Sequence, residues 1–259
     1  MPPSITLPPI SGKTVTQVLL MKRKAHSSLF LLLLSTVLAA SCVVYHPHNA
    51  DIPLLYEKGQ MQADVSASLS APLLAHPALN ASFSYAPLSA IGMQASFSIT
   101  NVNTFYAQAL AGTFHPFGKM VLEGYLGYGY GMSCNDNIST VRDVHYRVDG
   151  QYNLYFGQLD LGWVNLVEGD FDIGMGVKGG LMQSQWEKVL LPVDGTESIE
   201  ETLSNSHYLI EPQLLFRIGG QKVKFSVNVS YAYLTDWPKE NNFFNYERFS
   251  ASLGLHFKL

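Results

Sequence analysis

The sequence predicts an all-β chain, an antiparallel transmembrane β-barrel of ten strands, with eight or twelve strands as the alternatives. Three observations predict it. Apolar residues recur at every second position in segment after segment, the period of a strand with one apolar and one polar face. Mean hydropathy is near zero. That is too low for a bundle of membrane helices, but it is what lipid-facing residues alternating with polar inward ones produce. The connections alternate between short and long, as in barrels with tight turns at one end and loops at the other.

The strand candidates follow in order. In the first, Met61, Ala63, Val65, Ala67 and Leu69 alternate with Gln62, Asp64, Ser66 and Ser68. The second sets Leu79, Ala81, Phe83 and Tyr85 against Asn80, Ser82 and Ser84. The third sets Ile91, Met93, Ala95, Phe97 and Ile99 against Gln94, Ser96 and Ser98. The fourth, 104–114, alternates weakly. The fifth, 119–132, carries Met120, Leu122, Leu126, Tyr128 and Tyr130 on one face, and the sixth spans 150–164. The seventh sets Phe171, Ile173, Met175 and Val177 against Asp172, Gly174, Gly176 and Lys178. The eighth sets Ile210, Leu214, Phe216 and Ile218 against Glu211, Gln213 and Arg217. The ninth sets Val223, Phe225, Val227, Val229 and Tyr231 against Lys224, Ser226, Asn228 and Ser230. The tenth is 248–259, with Phe249, Ala251, Leu253, Leu255, Phe257 and Leu259 on the apolar face. Short connections follow the even-numbered strands. Longer ones are expected at 133–149, 187–205 and 235–246.

The amino end divides the chain. Lys22-Arg23-Lys24, the apolar run from Leu29 to Ala40 and the small residues before Cys42 read as a signal peptide. Residues 1–41 are therefore an over-long start plus signal, with Met21 the expected initiator. Leu38-Ala39-Ala40-Ser41-Cys42 resembles a lipobox, which implies acylation of Cys42; an ordinary cleavable signal is the plainer alternative. Residues 42–59 then form a lipid-anchored tether. Surface-exported lipoproteins carry acidic residues after the Cys; Val43-Val44-Tyr45-His46 lacks them, so the lipobox resemblance implies a tether on the periplasmic side, and the barrel is expected over 60–259. With two Cys in the chain, no disulfide framework is implied. Cys134 falls in an expected loop.

Charge is sparse, at 14% of residues, and nearly balanced. No basic patch points to nucleic acid. The inward charges are Asp64, Glu123, Asp160, Asp172 and Glu211, with Lys178, Arg217, Lys224, Arg248 and Lys258. A ten-stranded barrel is narrow, and a buried charge without a partner is costly. These residues therefore predict a paired polar core that fills the lumen. A small aqueous pore with weak ion selectivity is the alternative.

The final strand resembles those of bacterial outer-membrane barrels. Ser252, Gly254, Phe257 and Leu259 match their carboxy-terminal assembly signal. This implies the barrel assembly machinery, outer-membrane lipid and lipopolysaccharide as partners. Ile52-Pro53-Leu54-Leu55-Tyr56-Glu57-Lys58-Gly59-Gln60, Tyr85-Ala86-Pro87 and the glycine–tyrosine run at 124–131 resemble lipid-anchored outer-membrane β-barrel proteins of Bacteroidota. That resemblance implies a location in the cell outer membrane and names no activity.

The expected function is structural or surface-interacting, through the extracellular loops. A narrow pore or ligand-binding barrel is the alternative. A hydrolase carries less weight. Omptin proteases are ten-stranded barrels with Asp and His at the rim, and this chain offers Asp136, Asp143, His145, His207 and Asp236. Ser206-His207 resembles a fragment of a lipid A-modifying site. His46 and His48 lack a convergent third metal ligand. No catalytic residue, metal or cofactor is assigned, since no phosphate loop, dinucleotide fingerprint or CxxC occurs.

Overall fold

The computed structural model describes residues 43–45, 47, 52–70, 77–101, 104–138, 145–166, 170–191, 198–235 and 245–259. The strands are β1 (Val43–Tyr45), β2 (Met61–Ser70), β3 (Ala78–Leu88), β4 (Ile91–Asn101), β5 (Thr104–Phe117), β6 (Met120–Ile138) and β7 (His145–Trp163). They continue with β8 (Phe171–Leu191), β9 (Ser198–Gly219), β10 (Val223–Tyr231), β11 (Tyr233–Leu234), β12 (Asn245–Tyr246) and β13 (Phe249–Lys258).

Ten of these strands build one closed wall. Each pairs antiparallel with its sequence neighbour from β2 to β10, and β13 pairs with both β10 and β2. The short β11 prolongs β10 along β9. Within this ring every strand pairs on both sides, the condition for a sheet to cross a bilayer, and among the described residues only the upper ends of β6 and β9 run beyond their β5 and β10 neighbours. The ten-strand expectation is met. The outward residues from Met61 to Leu255 are the apolar set read from the sequence. Gly118, at φ 61°, makes the tight β5–β6 turn in a conformation that costs a side-chain-bearing residue more.

The wall is uneven. β2, β3, β4 and β13 have 10 or 11 residues, whereas β6, β7, β8 and β9 have 19 to 22. Most of the loops expected at 133–149 and 187–205 are therefore strand, and Cys134 lies in β6 rather than in a loop. The physical reason is an inversion of polarity along the same strands. Within the apolar band, Leu159, Val177 and Ile210 face out. Nearer the loop end, Gln151, Gln183 and Gln185 face out while Tyr152 and Trp186 face in. That upper part of the wall is patterned as a water-facing barrel, so an apolar-outward rule does not find it.

Outward Tyr128, Tyr155, Tyr208, Tyr231, Tyr233 and Phe249 mark the change of medium, as aromatic girdles do at membrane interfaces.

Candidate functional site

The lumen is the site, and the chain's own amino-terminal segment occupies it. β1 pairs in parallel with β12, which leads directly into β13. β13 runs from the loop end to the turn end, so β1 also points down the barrel. Tyr45 is buried, and its carbonyl accepts the N–H of Glu247. Ile52, Leu54 and Leu55 are at most 1% exposed, inside the lower lumen. Tyr56 reaches the turn end, where its hydroxyl donates to the Gly118 carbonyl at 2.6 Å. The chain then reverses at Gly59 and enters β2. The described residues between 43 and 60 therefore run within the barrel, loop end to turn end, and not as a tether outside it. The apolar run Ile52-Pro53-Leu54-Leu55 is what makes this stable, because it buries against the wall instead of facing water.

Wall residues hold this strand by its main chain. The Glu123 carboxylate accepts N–H groups from Leu54 at 2.9 Å and Leu55 at 2.7 Å. Leu54 has φ 56°, a conformation rare for a residue with a side chain. Here successive N–H groups converge on one anion, as in a backbone nest. From the other side, the Arg217 guanidinium donates to the carbonyls of Pro53 at 3.2 Å and Ile52 at 3.1 Å. Arg217 also meets Asp64 at 3.4 Å, and Asp64 contacts His256 at 3.0 Å. Higher up, the Tyr45 hydroxyl donates to Glu211 at 2.7 Å.

The remaining inward charges are paired or hydrogen-bonded. Lys178, wholly buried, donates to Gln108 at 3.2 Å, lies 3.9 Å from Glu211, and sits over the Phe156 ring. Lys224 meets Asp172 at 2.7 Å. Asp160, beside Glu123 across the β6–β7 ladder, accepts from Gln158 at 2.8 Å. Two residues differ from the inward set. Lys258 reaches the turn-end mouth and meets Glu57 at 3.2 Å, with both side chains well exposed. Arg248 is exposed rather than inward, because regular pairing begins only at Phe249 and the two-residue alternation slips there. Its guanidinium lies 5.7 Å from the Tyr246 ring centre.

The upper lumen is closed by aromatics. Tyr106 and Tyr152 stack with ring centres 5.8 Å apart, and Tyr45 meets Tyr152 edge-on at 5.7 Å. The glycine–tyrosine run explains the fit: Tyr106 lies across Gly129, and Tyr152 across Gly131, where a Cβ would collide with the ring. At the turn end a cavity of about 560 Å³ opens between Gln60, Asn165, Lys222, Lys224 and Lys258.

Of the hydrolase candidates, Ser206 and His207 do not come together. Ser206 faces out and His207 faces in, where its Nδ1 bonds the Thr235 carbonyl at 2.9 Å, so the pair cannot act on one substrate. Asp143, Asp236, His46, His48 and Cys42 lie outside the described residues, as do the side chains of Asp136 and His145. Ser252 and Gly254 face inward near the middle of β13, and Phe257 lies at its turn end. No sequence signal short of three-dimensional pairing marked Tyr45 or Leu54 as lumen residues.

No protein-family model and no curated protein sequence matches the chain. The fold it shares with solved structures is that of outer-membrane β-barrel proteins. The chain is similar to the outer membrane protease OmpT from Escherichia coli, with TM-score 0.54 and 9% identity, over 78% of this chain and 94% of that one. It also matches the translocator domain of the autotransporter NalP from Neisseria meningitidis, with TM-score 0.45 and 12% identity, over 78% and 89%. At these identities the likeness concerns the fold.

Proposed function

We propose that this chain is an outer-membrane barrel lipoprotein, acylated at Cys42, whose role is structural or surface-interacting and not conductive. One observation carries the reading: above the turn-end cavity, the chain's own strand, an aromatic layer and paired charges occupy the lumen among the described residues. In this reading the short turns face the periplasm and the tall β6–β9 wall rises from the cell surface. That wall carries outward Gln151, Asn153, Gln183, Gln185, Ser204 and Ser206, and Tyr128 donates to Asn153 at 2.6 Å. A neutral surface of amides and hydroxyls suits contact with surface sugars or a partner protein. The barrel assembly machinery, with Ser252, Gly254, Phe257 and Leu259 as its signal, would place the chain in the membrane.

The test combines three readings on the protein expressed in a Gram-negative host. Fractionation should place it in the outer membrane, labelled palmitate should enter it and be lost in Cys42→Ala, and the purified barrel should be silent in a planar bilayer. Stable conductance steps would transfer the reading to a pore.

A further inference from the structure

The direction of the lumen strand has a consequence for the anchor. We propose that the amino terminus of the mature chain emerges at the loop mouth, so that acyl chains on Cys42 enter the outer leaflet at the cell surface. This rests on the lipoprotein reading and its sidedness. A tether of the same sequence hanging below the barrel would instead place them in the inner leaflet.

Three observations carry it. First, β1 is parallel to β12, with Val43 opposite Asn245 and Tyr45 opposite Tyr246. Going back from Tyr45 to Val43 therefore leads away from the lumen centre toward the loop end, and Cys42 follows Val43 in that direction along the chain. Second, the strand cannot be reversed in place. Tyr45 is fixed at Glu211 and Glu247, and Tyr56 at Gly118 by the opposite end. Third, the wall is low on the side of β12, the strand that β1 pairs with. Asn245 precedes the first residue of β13 by four positions, about 13 Å at strand rise. β13 and β2 stop at Phe249 and Ser70, beside the exposed aromatic pair Tyr231 and Phe249. On its other side β1 lies against the tall wall, at β6. β1 thus leaves the lumen beside the chain that leads into β13, and in this proposal the amino terminus continues from there to the lipid headgroups. Entry of acyl chains into that leaflet is favoured by burial of their CH2 groups.

An epitope inserted between Cys42 and Val43 tests the placement on intact cells, with palmitate labelling followed in the same strain. Antibody binding to intact cells, in a palmitate-labelled protein, is the expected result. Palmitate labelling with binding only after outer-membrane permeabilisation overturns the placement and leaves the lipoprotein reading standing. Surface binding without palmitate overturns the lipid and keeps the threading. Because an insertion can disturb folding, a second variant uses the native length. In a Cys134→Ser background, Val43→Cys with Asn245→Cys should form a disulfide on oxidation, seen as a mobility shift reversed by reductant. No crosslink in a barrel that still shows heat-modifiable migration overturns the threading itself.

Discussion

The Tyr45 hydroxyl donates to the Glu211 carboxylate at 2.7 Å, and it joins a strand inside the barrel to the wall around it. Both groups are buried, and Glu211 also faces Lys178. Removing the donor leaves the acceptor under-satisfied in a dry setting, which costs about 1–3 kcal/mol. Tyr45→Phe should keep the ten-stranded wall, as judged by heat-modifiable migration. It should also make the segment before β2 more sensitive to added protease. Unchanged protease resistance would mean that this contact does not retain the strand.

The Glu123 clamp should matter more. Glu123→Ala leaves the N–H groups of Leu54 and Leu55 without their acceptor, at about 1–3 kcal/mol each. Combined with Arg217→Ala, which frees the Ile52 and Pro53 carbonyls, it removes the grip from both sides. The double variant is expected to show conductance steps in a planar bilayer where the parent shows none. A silent double variant would mean that packing alone holds the strand.

Gly92 and Gly157 give a controlled comparison. A Cβ at Gly92 would lie 2.7 Å from Leu55 Cδ1 and 2.8 Å from the Tyr125 hydroxyl, whereas at Gly157 its nearest neighbour is 3.7 Å away. Gly→Ala in a strand gains roughly 0.5–1 kcal/mol in backbone entropy. Overpacking costs roughly 1–3 kcal/mol, so the sign should differ between the two sites. Gly92→Ala should lower the thermal transition followed by heat-modifiable migration, and Gly157→Ala should hold or raise it.

Glu247 supplies a pH dependence. It is buried just before β13, at the loop end, and burial pushes its carboxyl up from 4.5 to about 8. The folded state then holds a proton that the unfolded state releases between these values. Stability should therefore fall as pH rises from about 4.5 toward 8. Denaturant midpoints at pH 5 and pH 8 should differ in that direction, and Glu247→Gln should reduce the difference.

The wall was legible in the sequence because lipid on one side forces a period of two, and Asp64, Glu211 and Arg217 fall on its inward phase. The upper wall was not, because outside the apolar band the rule reverses: Gln183 faces out and Trp186 in. β5 alternates weakly for a related reason, since inward Tyr106, Leu110 and Phe114 are as apolar as their lipid-facing neighbours. The lumen strand was least legible. Ile52-Pro53-Leu54-Leu55 has no period, and Glu123 and Arg217, which hold it, are 68 to 165 residues away. Glu123 and Arg217 were expected to find charged partners. Glu123 instead meets main-chain N–H groups, and Arg217 divides its donors between carbonyls and Asp64.

Hydrogen–deuterium exchange at the amides of Leu54 and Leu55, in the folded protein in detergent or nanodiscs, tests the central claim most directly. The threaded strand predicts exchange as slow as that of the β6 and β9 amides, accelerated in Glu123→Ala. Exchange at these two positions as fast as in an unstructured peptide, while the barrel amides stay protected, would contradict it.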